Sequence, residues 1–140
     1  MATITFYNDG KVGMLDGSMD LNTDTFNLTL HTSTYTPDID NDTTTADLSN
    51  ELAASGNYAT GGQALDNPTV TADDTNNRAV WDADNETWSA LTASAAFRYG
   101  VINNVTDSNS LVCYIDFISD QQPGGSDFTV QFHADGIGYI

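Results

Sequence analysis

The tightest group of residues able to do chemistry is Asp38-Ile39-Asp40-Asn41-Asp42. Carboxylates on alternate residues of a loop supply the hard oxygens that a calcium-like cation takes, so Asp38, Asp40 and Asp42 are the candidate metal ligands. The run is not an EF-hand. No glycine stands at its sixth position, and Ser49 occupies the place of the bidentate glutamate. The plainer reading is a solvated acidic loop. Asp82, Asp84 and Glu86 form a second group between Trp81 and Trp88, and Asp73-Asp74 reads as part of a turn.

Paired carboxylates can also hydrolyse glycosides. With twenty Asp and Glu in 140 residues, close pairs arise by chance and carry little weight. GxSxG, HExxH, P-loop and GxGxxG motifs are all missing. His133-Ala134-Asp135 is the one His–Asp neighbourhood, and it has no nucleophile to serve. Cys113 is the sole cysteine, so neither an internal disulfide nor a zinc cluster is expected. It lies in the apolar run LVCYIDFI and reads as a small core residue. No enzyme activity and no cofactor are expected.

Against the twenty acids stand three basic residues, Lys11, Arg78 and Arg98, for a formal charge of −17. So few cations cannot neutralise a phosphate backbone or hold an anionic membrane surface, so neither nucleic acid nor membrane is an expected partner. Both arginines lie in apolar stretches, NNRAVWD and AFRYGV, where a guanidinium needs a carboxylate. Arg78 is expected to pair within the fold. For Arg98 an intramolecular partner and a subunit contact both stand open. The start, MATITFYNDG, lacks the cationic and apolar regions of a signal peptide, and no apolar run approaches a membrane span. The sequons at Asn27, Asn41, Asn85 and Asn104 are the chance yield of a chain rich in Asn and Thr.

The elements that must position these residues read as strands. Thr, Val, Tyr, Phe and Ile are plentiful, and turn residues recur every eight to fifteen positions. Strands are expected at Thr3–Tyr7, Phe26–Thr32, around Val70, Arg78–Trp81, Ala95–Asn103, Leu111–Ser119 and Asp127–Phe132. In Phe26–Thr32, Phe26, Leu28 and Leu30 share one face, which leaves Asn27, Thr29 and His31 on a polar, exposed face. Leu111–Ser119 is apolar nearly throughout and should be central, covered on both faces. Lys11–Leu15 offers a single helical turn at best, ended by Gly17. Asp47–Ala54 is a short-helix candidate with Asp47 as its N-cap. About eight strands in one domain spanning 1–140 predict an all-β fold, an antiparallel β-sandwich or jelly roll with at most one or two short helices.

Several segments together resemble small structural proteins of tailed bacteriophages. They are LTLHTSTYTPDID (28–40), DLSNELAASGNYATGGQAL (47–65), RAVWDADNETWSALTA (78–93), FRYGVI (97–102), LVCYIDFISDQ (111–121) and DFTVQFHADGIGYI (127–140). The shared pattern is a Ser-Tyr-Thr-Pro loop (here Ser33-Thr34-Tyr35-Thr36-Pro37), a Gly-Tyr-x-x-Gly-Gly segment, a Trp-rich middle and a closing Ala-x-Gly-Ile. Here Asn57 separates Gly56 from Tyr58, a departure from that pattern. The resemblance implies a virion protein, of which a capsid decoration (cement) protein is the favoured kind. Such a protein binds the major capsid protein on the outer surface of the head and bridges capsomers, often as a homotrimer. Arg98 and Tyr58 are then the candidate interface residues. The competing expectation is a tail or head-fibre module that binds a host-surface glycan, with Trp81, Trp88 or Tyr58 as stacking platforms.

Overall fold

The computed structural model describes residues 2–140, which form an all-β fold of antiparallel sheets with one α-helix among the described residues. The strands are β1 (Thr3–Phe6), β2 (Phe26–His31), β3 (Gln63–Ala64), β4 (Thr69–Asp73), β5 (Arg78–Asp82), β6 (Glu86–Trp88), β7 (Phe97–Asn104), β8 (Ser110–Gln121), β9 (Phe128–Val130) and β10 (Gly138–Tyr139). The main sheet runs β1-β8-β7-β2-β3. A smaller sheet, β10-β5-β4, and the ribbon β6-β9 complete the architecture.

β7 and β8 are the long hairpin at the centre. Their loop crosses at Ser108 and Asn109, both in the left-handed region. β8 lies between β1 and β7, as its apolar sequence predicts, and its first half is buried on both faces. Its second half is not. Ile118 sits at φ 70 and is exposed, and the strand leaves the core through Ser119 and Asp120.

Each face of the main sheet carries its own core. On one side Phe26, Leu28 and Leu30 of β2 pack with Trp81, Trp88, Phe97, Ile102 and Ile115. On the other, Tyr7, Tyr35, Val101 and Leu111 form a second cluster. The chain after β2 builds that second cover. It brings Tyr35 over the sheet, hydrogen-bonds its Thr32 N–H to Asn50 O, and returns along β2 through Leu52 N–H to Leu30 O. The face of β2 expected to meet water therefore meets protein. Thr29 and His31 are buried, His31 to 1 % exposure. Alternation correctly separates the two faces of the strand, but a polar face can be covered when its polar atoms find partners.

α1 (Asn8–Asp16) is longer than the single turn its sequence suggests. Two glycines weaken it as an isolated helix. Packing supplies what propensity lacks, because Gly10 lies against β8 so closely that a Cβ there would sit 2.5 Å from Val112 O. Gly17, at φ 82, ends the helix as expected. The short helix expected over Asp47–Ala54 is only a 3-10 turn, Thr45–Asp47. Thr44 is its cap and Asp47 the third residue of a reciprocal capping box, so Asp47 helps start the turn from inside it.

Candidate functional site

The acidic loop does not gather its carboxylates. Asp38 accepts the backbone N–H groups of Asp40 (3.1 Å) and Asn41 (3.2 Å) and the Asn41 amide (2.9 Å). Those bonds hold its carboxyl below the usual carboxylate range, the Asn41 side chain first among them. Asp40 turns away to accept Asn8 Nδ2 at 2.7 Å. Asp42 accepts the Asp38 N–H at 3.0 Å and the Tyr35 hydroxyl at 2.8 Å. Tyr7 and Tyr35 are joined by their hydroxyls at 2.6 Å, so this carboxylate anchors a buried phenol pair. Burial raises the pKa of both phenols. Asp38, Asp40 and Asp42 are thus turn and core anchors, and no cluster with the makings of a metal site occurs among the described residues.

The second acidic group also separates. Asp82 caps the Ala83 N–H, Asp84 accepts the Asn67 amide, and Glu86 turns inward. Glu86 accepts Asp66 N–H at 2.7 Å and Gln63 Nε2 at 3.0 Å, while burial raises its pKa. His133 and Asp135 do meet, at 3.2 Å, but Asp135 is also held by Arg78. Cys113 is fully buried, and burial pushes its thiol well up.

Both arginines pair within the chain. Arg78 bridges Asp73 (2.9 Å) and Asp135 (2.5 Å) and lies over the Tyr139 ring, which ties the β4–β5 turn to the segment before β10. Arg98 grips Asp116 of the neighbouring strand with two bonds, at 2.9 and 3.0 Å. That fork lowers the carboxyl pKa of Asp116. The open question about Arg98 thus resolves to an intramolecular partner, since its charge is already matched inside the fold.

The aromatic platforms are inside too. Tyr58 is 2 % exposed, donates its hydroxyl to Glu51 Oε1 at 2.8 Å and accepts the Leu30 N–H at 3.0 Å. It packs on Trp88, and Trp81 packs edge-on against Phe26. Tyr58 therefore cannot be a surface contact, and none of the three rings is free to stack on a sugar. The Trp81 indole N–H is buried without a hydrogen-bond partner among the described residues.

Two surface features escape sequence reading. The first is a polar groove of about 460 Å³ over the covered face of β2, lined by Asn27, His31, Ser49, Glu51, Asn103 and Asn109 among others. His31 forms part of its lining, with Nδ1 donating to Ser49 O at 2.8 Å and Nε2 accepting from the Thr29 hydroxyl at 2.9 Å. Burial lowers the His31 pKa and favours the neutral ring. The second is an apolar face. Leu15, Val70, Tyr139 and Ile140 are large, exposed and grouped around a cavity of about 380 Å³ with Lys11 at its edge. Val12 on the same helix is exposed as well. Grouped apolar exposure of this kind marks an interaction surface more often than isolated exposed side chains do. Summing local hydrophobicity would not have found it, because its parts come from α1, β4 and β10.

No protein-family model, no curated protein and no solved structure matches the chain.

Proposed function

We propose that this chain is a bacteriophage capsid decoration protein. It binds the major capsid protein on the outside of the head and braces the shell by bridging capsomers. The observation that carries the reading is the apolar face at α1 and β10 on a domain whose charge is otherwise strongly negative. Such a surface works by burying area against another protein, and repetition over many copies multiplies weak contacts through avidity. The three cations fit the same role. With both arginines matched internally, little positive charge is left to engage packaged DNA. The resemblance of the sequence segments to tailed-phage structural proteins points the same way, and the reading assigns no catalytic residue.

The test is stoichiometry in purified particles, with this chain quantified against the major capsid protein. A ratio near one to one supports decoration, and a ratio of a few per cent overturns it in favour of a tail or vertex position. The polar groove favours one second reading, a fibre module that holds a glycan. Its asparagine, serine and glutamate groups suit sugar hydroxyls, and hydrogen bonding would have to replace the stacking that the buried Trp81, Trp88 and Tyr58 cannot provide.

A further inference from the structure

The outward side of α1 has an order of its own. Its exposed residues are Asn8, Lys11, Val12, Leu15 and Asp16, which recur at the three- and four-residue spacing of one helix face. Gly10 and Gly13 hold the opposite side against the protein. In heptad terms Val12 takes an a position, Leu15 the following d, Lys11 the g before and Asp16 the e after. Val12 and Leu15 thus repeat one a/d layer of a parallel two-stranded pairing, where a β-branched residue at a and leucine at d suit two chains. In that geometry a g residue meets the e residue of the other helix, so Lys11 of each copy faces the other copy's Asp16. The apolar and charged parts of the face are both self-complementary under one two-fold axis, as an isologous contact requires.

We propose that the α1 face pairs with a second copy of this chain, helix parallel to helix, through Val12 and Leu15 and two Lys11–Asp16 contacts. The inference rests on the reading of this face as a docking surface: it gives the outer ridge of α1 to a second copy and leaves the apolar cavity beside it, lined by Val70, Tyr139 and Ile140, to the capsid protein. Lys11 is the one cation without a carboxylate partner among the described residues. It donates only to Asn8 Oδ1, at 3.2 Å. Nine residues give a short seam. Tyr139 and Ile140, at 60 and 77 % exposure, lie beside the helix on the cavity side of the face, outside the seam. Two chains of charge −17 repel each other, so the pairing strengthens as salt screens that repulsion.

Sedimentation equilibrium of the purified full chain tests this in low salt and in about 1 M salt, where the screening length is about 3 Å. A monomer–dimer equilibrium that tightens with salt is expected, and Leu15→Glu should abolish it. In low salt, where the contacts are unscreened, Lys11→Glu or Asp16→Lys alone should raise the dimer dissociation constant at least about tenfold, since each repeats a like-charge contact twice, and the penalty should shrink in about 1 M salt. The double variant Lys11→Glu/Asp16→Lys should return it close to wild type. All of these positions are exposed, and circular dichroism verifies that each variant folds. A wild-type monomer at every salt concentration overturns the inference, as does a trimer, a dimer indifferent to Leu15→Glu, or a double variant as weak as the singles. None of these outcomes touches the particle stoichiometry on which the decoration reading stands or falls.

Discussion

Acidification should destabilise the fold through His31. The ring is buried between β2 and the returning loop, with Tyr35 packed at 5.1 Å, and burial depresses its pKa. The folded state therefore resists a proton that the unfolded chain accepts from about pH 6.5 downward. Between the unfolded and the folded pKa the unfolded state binds more protons, so stability falls as pH falls. One group can contribute at most about 1.4 kcal/mol per pH unit in that window. Against a total of about 5–15 kcal/mol for a domain, the loss is easily measured.

Two neighbours soften the effect. Glu51 is bridged to His31 across the chain and favours the imidazolium, and the bond from Nδ1 to Ser49 O survives protonation. The Thr29 hydroxyl, which donates to Nε2 when the ring is neutral, can turn to Val101 O at 3.3 Å and accept instead. Desolvation remains the largest cause and sets the sign. The assay is urea unfolding of wild type and His31→Gln from about pH 7.5 to about 5, followed by fluorescence of the buried Trp81 and Trp88. His133 is common to both proteins and cancels in the difference. Wild type should lose stability relative to the variant as pH falls through this range. Parallel curves, or a wild type that gains on the variant in acid, would refute the placement of a neutral buried imidazole.

Phe97 is fully buried and meets Phe128 at 4.8 Å and Phe117 at 6.1 Å, both edge to face. Phe97→Ala should cost about 3–5 kcal/mol and lower the melting temperature by about 10–17 °C in calorimetry. Gly10→Ala would press a methyl group onto the Val112 backbone, which cannot rotate away, so α1 must shift from β8. It should cost about 1–3 kcal/mol and speed amide exchange in α1 and β8, while an unchanged exchange pattern would show that the helix has room to spare.

The strand pattern of the fold was legible because alternation is local. Phe26, Leu28 and Leu30 declare the buried side of β2, and the apolar run at 111–117 declares a central strand. What covers a strand is not local. His31 reads as exposed until a loop ending some twenty residues later folds over it and supplies Ser49 O as its acceptor. α1 was underestimated for a related reason. Its glycines are poor helix formers alone, and they are needed only because β8 lies against them. The candidate ligands misled differently. Alternate aspartates look like a cation cradle, yet each was taken by a donor close by or brought near by the fold.

That fate of the aspartates bears on what the charge means. Most of the twenty acidic side chains accept at least one backbone N–H, among them those of Asp20, Asp38, Asp47, Glu51, Glu86 and Asp127. Long connections such as 17–25 and 48–62 leave many amides outside any ladder, and these must find acceptors. A carboxylate is a strong local acceptor, and lysine and arginine accept nothing. Much of the −17 thus follows from how this loop-rich fold satisfies its own backbone, with no acid-seeking partner required. The charge still argues on electrostatic grounds against polyanionic partners. As a pointer to where a partner sits it carries little. That information lies where the acidic pattern breaks, at Lys11, Val12, Leu15 and Tyr139, and a binding partner of this chain should be sought there first.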